Sequence, residues 1–163
     1  MFSFFLTRKT NKFLLTALVF LAITLAGCSL DEDDDGNIYG KWETQFGDIY
    51  VIEEINFTYV SDWGFGYSGR IGFSSEFTAN SGVLIIEYTV PPTYDGYNNN
   101  PFTAVYYRNL TGSTVQLANV INLSDYSCAD TGTLEEARVK FTRGSMANYV
   151  DWSFVQPYTR AFY

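Results

Sequence analysis

Apolar and polar positions alternate with a period of two along residues 65–77: Phe65, Tyr67, Ile71, Phe73 and Phe77 fall on one face, and Ser68, Arg70, Ser74 and Glu76 on the other. That is the pattern of a half-buried antiparallel strand. It recurs in Val115, Leu117, Ile121 and Leu123 against Thr114, Gln116 and Asn122, and in Val150, Trp152 and Phe154 against Asp151 and Ser153. Trp42 and Phe46 open the series, set against Lys41, Glu43 and Gln45. Residues 49–60, 83–90 and 102–110 are rich in β-branched and aromatic side chains, which brings the total to about seven strands. Turn residues fall between them: Asn80-Ser81-Gly82, the long 91–101 segment bounded by Pro91 and Pro101, and Thr111-Gly112.

One helix interrupts the strands. Thr133 and Glu136 fit a capping box, Leu134, Ala137 and Phe141 line one face, and Gly144 is placed to end it. Glu135 and Glu136 near its start, with Arg138, Lys140 and Arg143 near its end, complement the helix dipole. A mainly β domain with one late helix is expected to close its sheet into a small antiparallel barrel, which removes exposed edges.

The first residues follow a different grammar. Arg8, Lys9 and Lys12 precede an apolar stretch, residues 13–25, that runs into Leu25-Ala26-Gly27-Cys28. This order is that of a secretory signal peptide, and the last four residues resemble the bacterial lipobox. The resemblance implies cleavage before Cys28 and diacylglycerol on its thiol, hence attachment to a membrane by covalent lipid. Ser29 next to the cysteine resembles the outer-membrane sorting rule of enteric bacteria. The chain divides accordingly into a leader (1–27), a lipidated cysteine with an acidic tether (28–37) and a barrel domain (38–163). The run Asp31 to Asp35 carries too much charge to bury and serves as a solvated spacer.

Charge and composition remove several function classes. Without Arg8, Lys9 and Lys12, seven basic residues face 18 acidic ones, a net charge of −11. Such a surface does not track a phosphate backbone, so nucleic acid is excluded as a partner. The chain has no histidine, which removes imidazole bases, nucleophile triads built on histidine and most zinc sites. No cofactor or metal is expected. With Cys28 lipidated, Cys128 has no partner cysteine for a disulfide within the monomer.

A second resemblance starts from Gly40-Lys41-Trp42, which looks like the Gly-x-Trp signature of lipocalins at the opening of their first strand. Ser124-Asp125-Tyr126 is similar to that family's Thr-Asp-Tyr loop motif. The likeness implies a barrel with Trp42 at its base and a small apolar or amphipathic ligand inside. Separately, the stretches Tyr106-Tyr107, 133–137 and 149–153 are similar to spirochaetal lipoproteins of unassigned function, which implies no activity.

Candidate site residues follow. Trp42, Tyr67 and Tyr106 are expected to line a ligand cavity. Glu53 breaks the alternation of Ile49, Val51, Ile55, Phe57 and Tyr59, so it either points a carboxylate inward or sits in a bulge that turns it out. Glu53 with Glu54, or with Glu87, would be the carboxylate pair of a glycoside hydrolase, but the chain is expected not to be an enzyme. Tyr94 and Tyr97, among the asparagines of the long loop, form a candidate contact surface. Two functional expectations stand side by side: an envelope lipoprotein holding an apolar ligand, and a structural or host-facing interaction lipoprotein with a filled core.

Overall fold

The β-rich pattern closes on itself. In the computed structural model, which describes residues 36–93, 97 and 99–161, eight strands form an up-and-down antiparallel barrel. They are β1 (Gly40–Glu43), β2 (Ile49–Ile52), β3 (Asn56–Val60), β4 (Gly66–Thr78), β5 (Ser81–Val90), β6 (Phe102–Arg108), β7 (Thr114–Asn119) and β8 (Pro157–Arg160). Closure is made by β8 against β1, with Trp42 opposite Arg160 and Glu43 opposite Thr159. Cys28, the leader, most of the tether and Tyr94 lie outside the described residues.

Helix α1 (Leu134–Lys140) lies between β7 and β8 in the chain, and its start is the predicted one. The Thr133 hydroxyl accepts from Glu136 N at 3.2 Å, and Glu136 Oε2 accepts from Thr133 N at 3.0 Å, which completes the capping box. The end differs from expectation. Phe141, not Gly144, caps the helix, its backbone N–H closing on the Ala137 carbonyl. Phe141 leaves helical geometry at φ −99° and ψ 79°, and Ser145 Oγ donates to the Lys140 carbonyl and accepts from Thr142 N at 2.9 Å, satisfying groups that a further turn would have paired.

The strand pattern needed three corrections. Residues 49–60 form a hairpin, β2 and β3, so the break at Glu53 is a turn: Glu53 is exposed and its Oε2 accepts from Asn56 Nδ2 at 2.9 Å. In β4, irregularities between Ser68 and Gly69 and between Ile71 and Phe73 shift the register. Tyr67 and Ile71 therefore pack inside the barrel while Phe73 and Phe77 pack outside it, although a strict period of two puts all four on one face. Finally, residues 150–154 are no strand. Asp151 Oδ1 accepts from Ser153 N at 3.0 Å and from Ser153 Oγ at 2.7 Å, a local turn that competes with any ladder. The last strand begins instead at Pro157, a first-residue position where the missing N–H costs nothing.

Two apolar layers result. Inside the barrel, Trp42, Tyr50, Phe57, Tyr67, Tyr107 and Tyr158 pack with Ile52, Leu84, Ile86, Val105 and Leu117. Outside it, α1 and the segment after it cover Val83, Ile85, Ala104, Tyr106, Ala118 and Val120 with Ala137, Phe141 and Val150. This double covering explains why Val83-Leu84-Ile85-Ile86 is continuously apolar: alternate residues enter different cores, and all four are buried. Each large side chain so buried contributes about 1.5–3 kcal/mol.

The alternation of strand directions gives the barrel two unlike ends. The chain enters β1 at one end, where Trp42 Nε1 donates to the Ile38 carbonyl at 2.8 Å and the Arg160 guanidinium lies 4.6 Å from the Trp42 ring centroid. Gly40 holds φ at +138°, a conformation that side chains with a Cβ rarely adopt. The opposite end carries the connections 44–48, 61–65, 91–101 and 120–156.

Candidate functional site at the loop-bearing mouth

The loop end is where the barrel stops being filled. Tyr59, Tyr67 and Tyr88 stand at the upper ends of β3, β4 and β5, their rings in contact: centroids lie 5.7 Å apart for Tyr59–Tyr67 and 5.1 Å for Tyr67–Tyr88. Tyr97 continues the series edge-on to Tyr88 at 5.6 Å. Between these rings and the start of the long β7–β8 connection lies a slot of about 40 Å³, walled also by Phe65, Thr103, Asn119, Cys128 and Asp130. Hydroxyl tips make such a wall both apolar and hydrogen-bonding. Tyr67 donates to Asn119 Oδ1 at 2.7 Å, which fixes the ring against β7.

Asp130 is the polar centre of this end. It follows Ala129 into the short pairing of Thr131 with Phe102, whose backbone bonds at 2.8 and 3.2 Å pin the segment to the start of β6. The residue is 6% exposed. Its Oδ1 accepts from the Tyr88 hydroxyl at 3.2 Å, whereas its Oδ2 is buried without a hydrogen-bond partner among the described residues. Burial raises the carboxyl above the usual aspartate range, opposed by hydrogen bonding from Thr103 and Tyr88 and by the charge of Lys140. Lys140 does not close an ion pair on it: its ammonium donates to the main-chain carbonyl of Ala129 at 2.6 Å and reaches that of Asp130 at 3.5 Å. Desolvation lowers the Lys140 pKa, with Asp130 opposing.

Around the mouth three large side chains face solvent. Phe46 is 59% exposed, Trp63 81% and Phe65 48%. The loops that carry them are tied together, since Asp48 Oδ1 accepts from Asp62 N at 3.1 Å. On the barrel wall nearby, a half-open cleft of about 330 Å³ is lined by Ile121, Leu123, Tyr126, Tyr149, Phe154 and neighbours. A broader depression of about 650 Å³ beside the helix start is shallow and open, so it holds nothing by enclosure.

The sequence-predicted residues scatter across this geometry. Tyr67 is at the mouth, where it lines the small slot. Trp42 is fully buried at the opposite end, where it seals the barrel base. Tyr106 belongs to the outer layer: its side chain leaves the barrel, and its hydroxyl donates to the Thr142 carbonyl at 2.9 Å. It lines no barrel cavity. Glu53 is in an exposed turn and Glu87 on the exposed outer face of β5, so neither enters a shared concave site. Tyr97 is tied into the mouth, its hydroxyl donating to the Asn100 carbonyl at 3.1 Å, and its partner Tyr94 falls outside the described residues. Sequence reasoning missed Asp130, which lies in no alternating segment. Its one signal was a lone acid between apolar Ala129 and the cap Thr133.

No protein-family model matches the chain, and neither the curated proteins nor the solved structures hold a match to it. The fold itself is a closed, eight-stranded antiparallel barrel with one described helix laid on its outside.

Proposed function

We propose that the protein is a lipid-anchored, non-enzymatic envelope lipoprotein that presents the mouth of a filled barrel to a protein partner. The observation that carries this reading is the placement of Phe46, Trp63 and Phe65, exposed together at the end opposite to that where the chain enters β1. The described chain enters β1 at the sealed base, the end of the barrel opposite to these aromatics. Exposed aromatics on loops set by a rigid scaffold are the usual anchors of protein recognition. Six aromatic rings fill the interior, and an apolar molecule of ordinary size has no room among them.

The test uses the lipoprotein in its own membrane. A photo-cross-linking residue at position 63 is expected to give one discrete adduct on intact cells, and the same residue at position 80, at the other end, none. Equal adducts from both positions would sink the reading. Cys28→Ala is expected to abolish acyl labelling and to leave an unprocessed precursor; labelling that persists removes the anchor.

A second reading has one observation in its favour, the 330 Å³ cleft with exposed Tyr126 and Phe154 at its edge. It suits an amphipathic small molecule, held on the barrel's outer wall rather than in its interior. Native mass spectrometry of the mature lipoprotein released from detergent distinguishes the two, since a bound small molecule adds a reproducible mass that Phe154→Ser removes.

A further inference from the structure

We infer that the partner docking at the mouth offers an arginine-rich segment, held by exposed rings and aspartates that stand beside one another on the loops; this rests on the docking reading above. The described residues expose six large aromatic side chains: Tyr39, Phe46, Trp63, Phe65, Tyr126 and Phe154. All but Tyr39 lie on connections at the mouth end. Each of these stretches also carries an aspartate close by in sequence. Asp48 stands two residues after Phe46, Asp62 next to Trp63, Asp125 next to Tyr126, and Asp151 three residues before Phe154. A ring face attracts a cation and a carboxylate pairs with one, so such neighbours supply both halves of what a guanidinium prefers. Arginine stacks on a ring and bonds a carboxylate with the same planar group, which the compact ammonium of lysine does not match.

The barrel also sorts its charges by end. Outside α1 and the three residues after it, the described residues of the mouth connections carry aspartates and no lysine or arginine. Lys41, Arg70, Arg108 and Arg160 lie instead toward the base ends of their strands. The ion pairs among the described residues, Lys41 with Glu43 and Arg138 with Glu135, use none of the mouth aspartates. Asp48 and Asp62 converge at the rim: burial first, and then the charges of these two, raise the Tyr59 phenol above its ordinary value. Hydrogen bonds from Ser127 and Ser153 lower the carboxyls of Asp125 and Asp151, so both stay charged at neutral pH. A field of one sign at one end, with exposed rings set in it, steers a cationic partner in and gives it apolar surface to pack on.

The experiment repeats the cross-linking at position 63 on intact cells, with p-benzoylphenylalanine so that a ring remains there, in two double variants of equal charge. Asp48→Asn/Asp62→Asn keeps the side-chain oxygen that accepts from Asp62 N and is expected to cut the adduct about three- to tenfold, the loss of two exposed ion pairs. Glu53→Gln/Glu54→Gln removes the same charge at the base and is expected to leave the adduct unchanged. In parallel, the unaltered mature lipoprotein in detergent is titrated with tetra-arginine amide and with tetra-lysine amide while tryptophan emission is followed. The arginine peptide is expected to shift the emission at lower concentration than the lysine peptide, with a midpoint that rises with salt, and Trp63→Leu is expected to abolish the shift. An adduct that survives Asp48→Asn/Asp62→Asn, or that falls equally in both double variants, overturns the inference and leaves the docking reading standing; no adduct at position 63 removes both. Equal responses to the two peptides, or none to either, overturn it as well.

Discussion

The two apolar layers are made of different chemistry and tolerate change differently. The barrel interior is crowded with rings that carry hydroxyls: Tyr50 packs edge-on to Tyr158 at 5.0 Å and to Phe57 at 5.8 Å. The outer layer holds mostly smaller side chains, Val83, Ile85, Ala104, Ala118 and Ala137, which let a short helix lie close to the sheet, with Tyr106 and Phe141 as its large buried rings. An enclosed barrel has a fixed perimeter, so its contents must fit the ring of strands. The outer layer is bounded on one side by a seven-residue helix rather than by a closed ring of strands. The first is a jigsaw and the second a cover.

Alkali gives the largest expected separation between them. Burial raises the phenols of Tyr50, Tyr59 and Tyr158 well above the ordinary tyrosine value, and that of Tyr107 to about 12. The folded state keeps these protons where the unfolded chain has begun to release them. Stability therefore falls as pH rises above about 10, the unfolded phenol value. Tyrosinate absorbance and circular dichroism are expected to change together, in one cooperative transition. Phenols that ionise with the fold intact would show that the interior is open to water.

Single substitutions come next. Trp42→Ala is expected to cost about 3–5 kcal/mol in a urea melt, because the sealed base cannot collapse around the lost ring. Ala137→Leu, which overpacks the outer layer at a fully buried position, is expected to cost about 1–3 kcal/mol. Equal losses would erase the distinction between jigsaw and cover. Thr133→Ala removes the helix cap and is expected to cost about 1 kcal/mol.

The smallest effect sits where the layers meet. Because burial raises the Asp130 carboxyl, the folded state binds its proton more tightly than the unfolded chain, and this residue costs stability as pH rises through its folded value. Asp130→Asn is accordingly expected to raise the unfolding temperature at pH 7 and to leave it unchanged at pH 3. Destabilisation at pH 7 would mean that the carboxylate is a structural necessity at this position.

Much of the fold was legible in local pattern. The helix start at Thr133 and Glu136 could be read because a capping box needs only residues three apart in sequence. Strand content was legible for the same reason, since alternation is a local consequence of the pleat. Misreadings came where one local signal had two physical meanings. The carboxylate at Glu53 breaks a strand pattern whether it bulges or turns, and the antiparallel closing of β2 on β3 made it a turn. Val150 and Trp152 pack into the outer layer from a turn, and Phe154 stands exposed, so their alternation reflects no pairing in a sheet.

The site was less legible than the fold. Tyr67 was identified as a cavity residue and lies at the mouth, but Tyr106 is equally aromatic and equally regular, and the parity of β6 sends it outward. Asp130 carries no pattern at all. Its burial arises from a loop returning to pair Thr131 with Phe102, a contact 29 residues distant along the chain (131 − 102).

The sequence alone determined the strand-rich character of the domain, the position of its helix, its acidity and the absence of histidine chemistry, because each depends on composition or on neighbours within a few residues. The tertiary structure alone decided which face of each strand is inside, how completely the interior is filled and which acid is stranded in it. Those properties depend on closure: only when β8 meets β1 does the barrel acquire an inside, and only then does a side chain's direction decide whether it is packed, exposed or left without a partner.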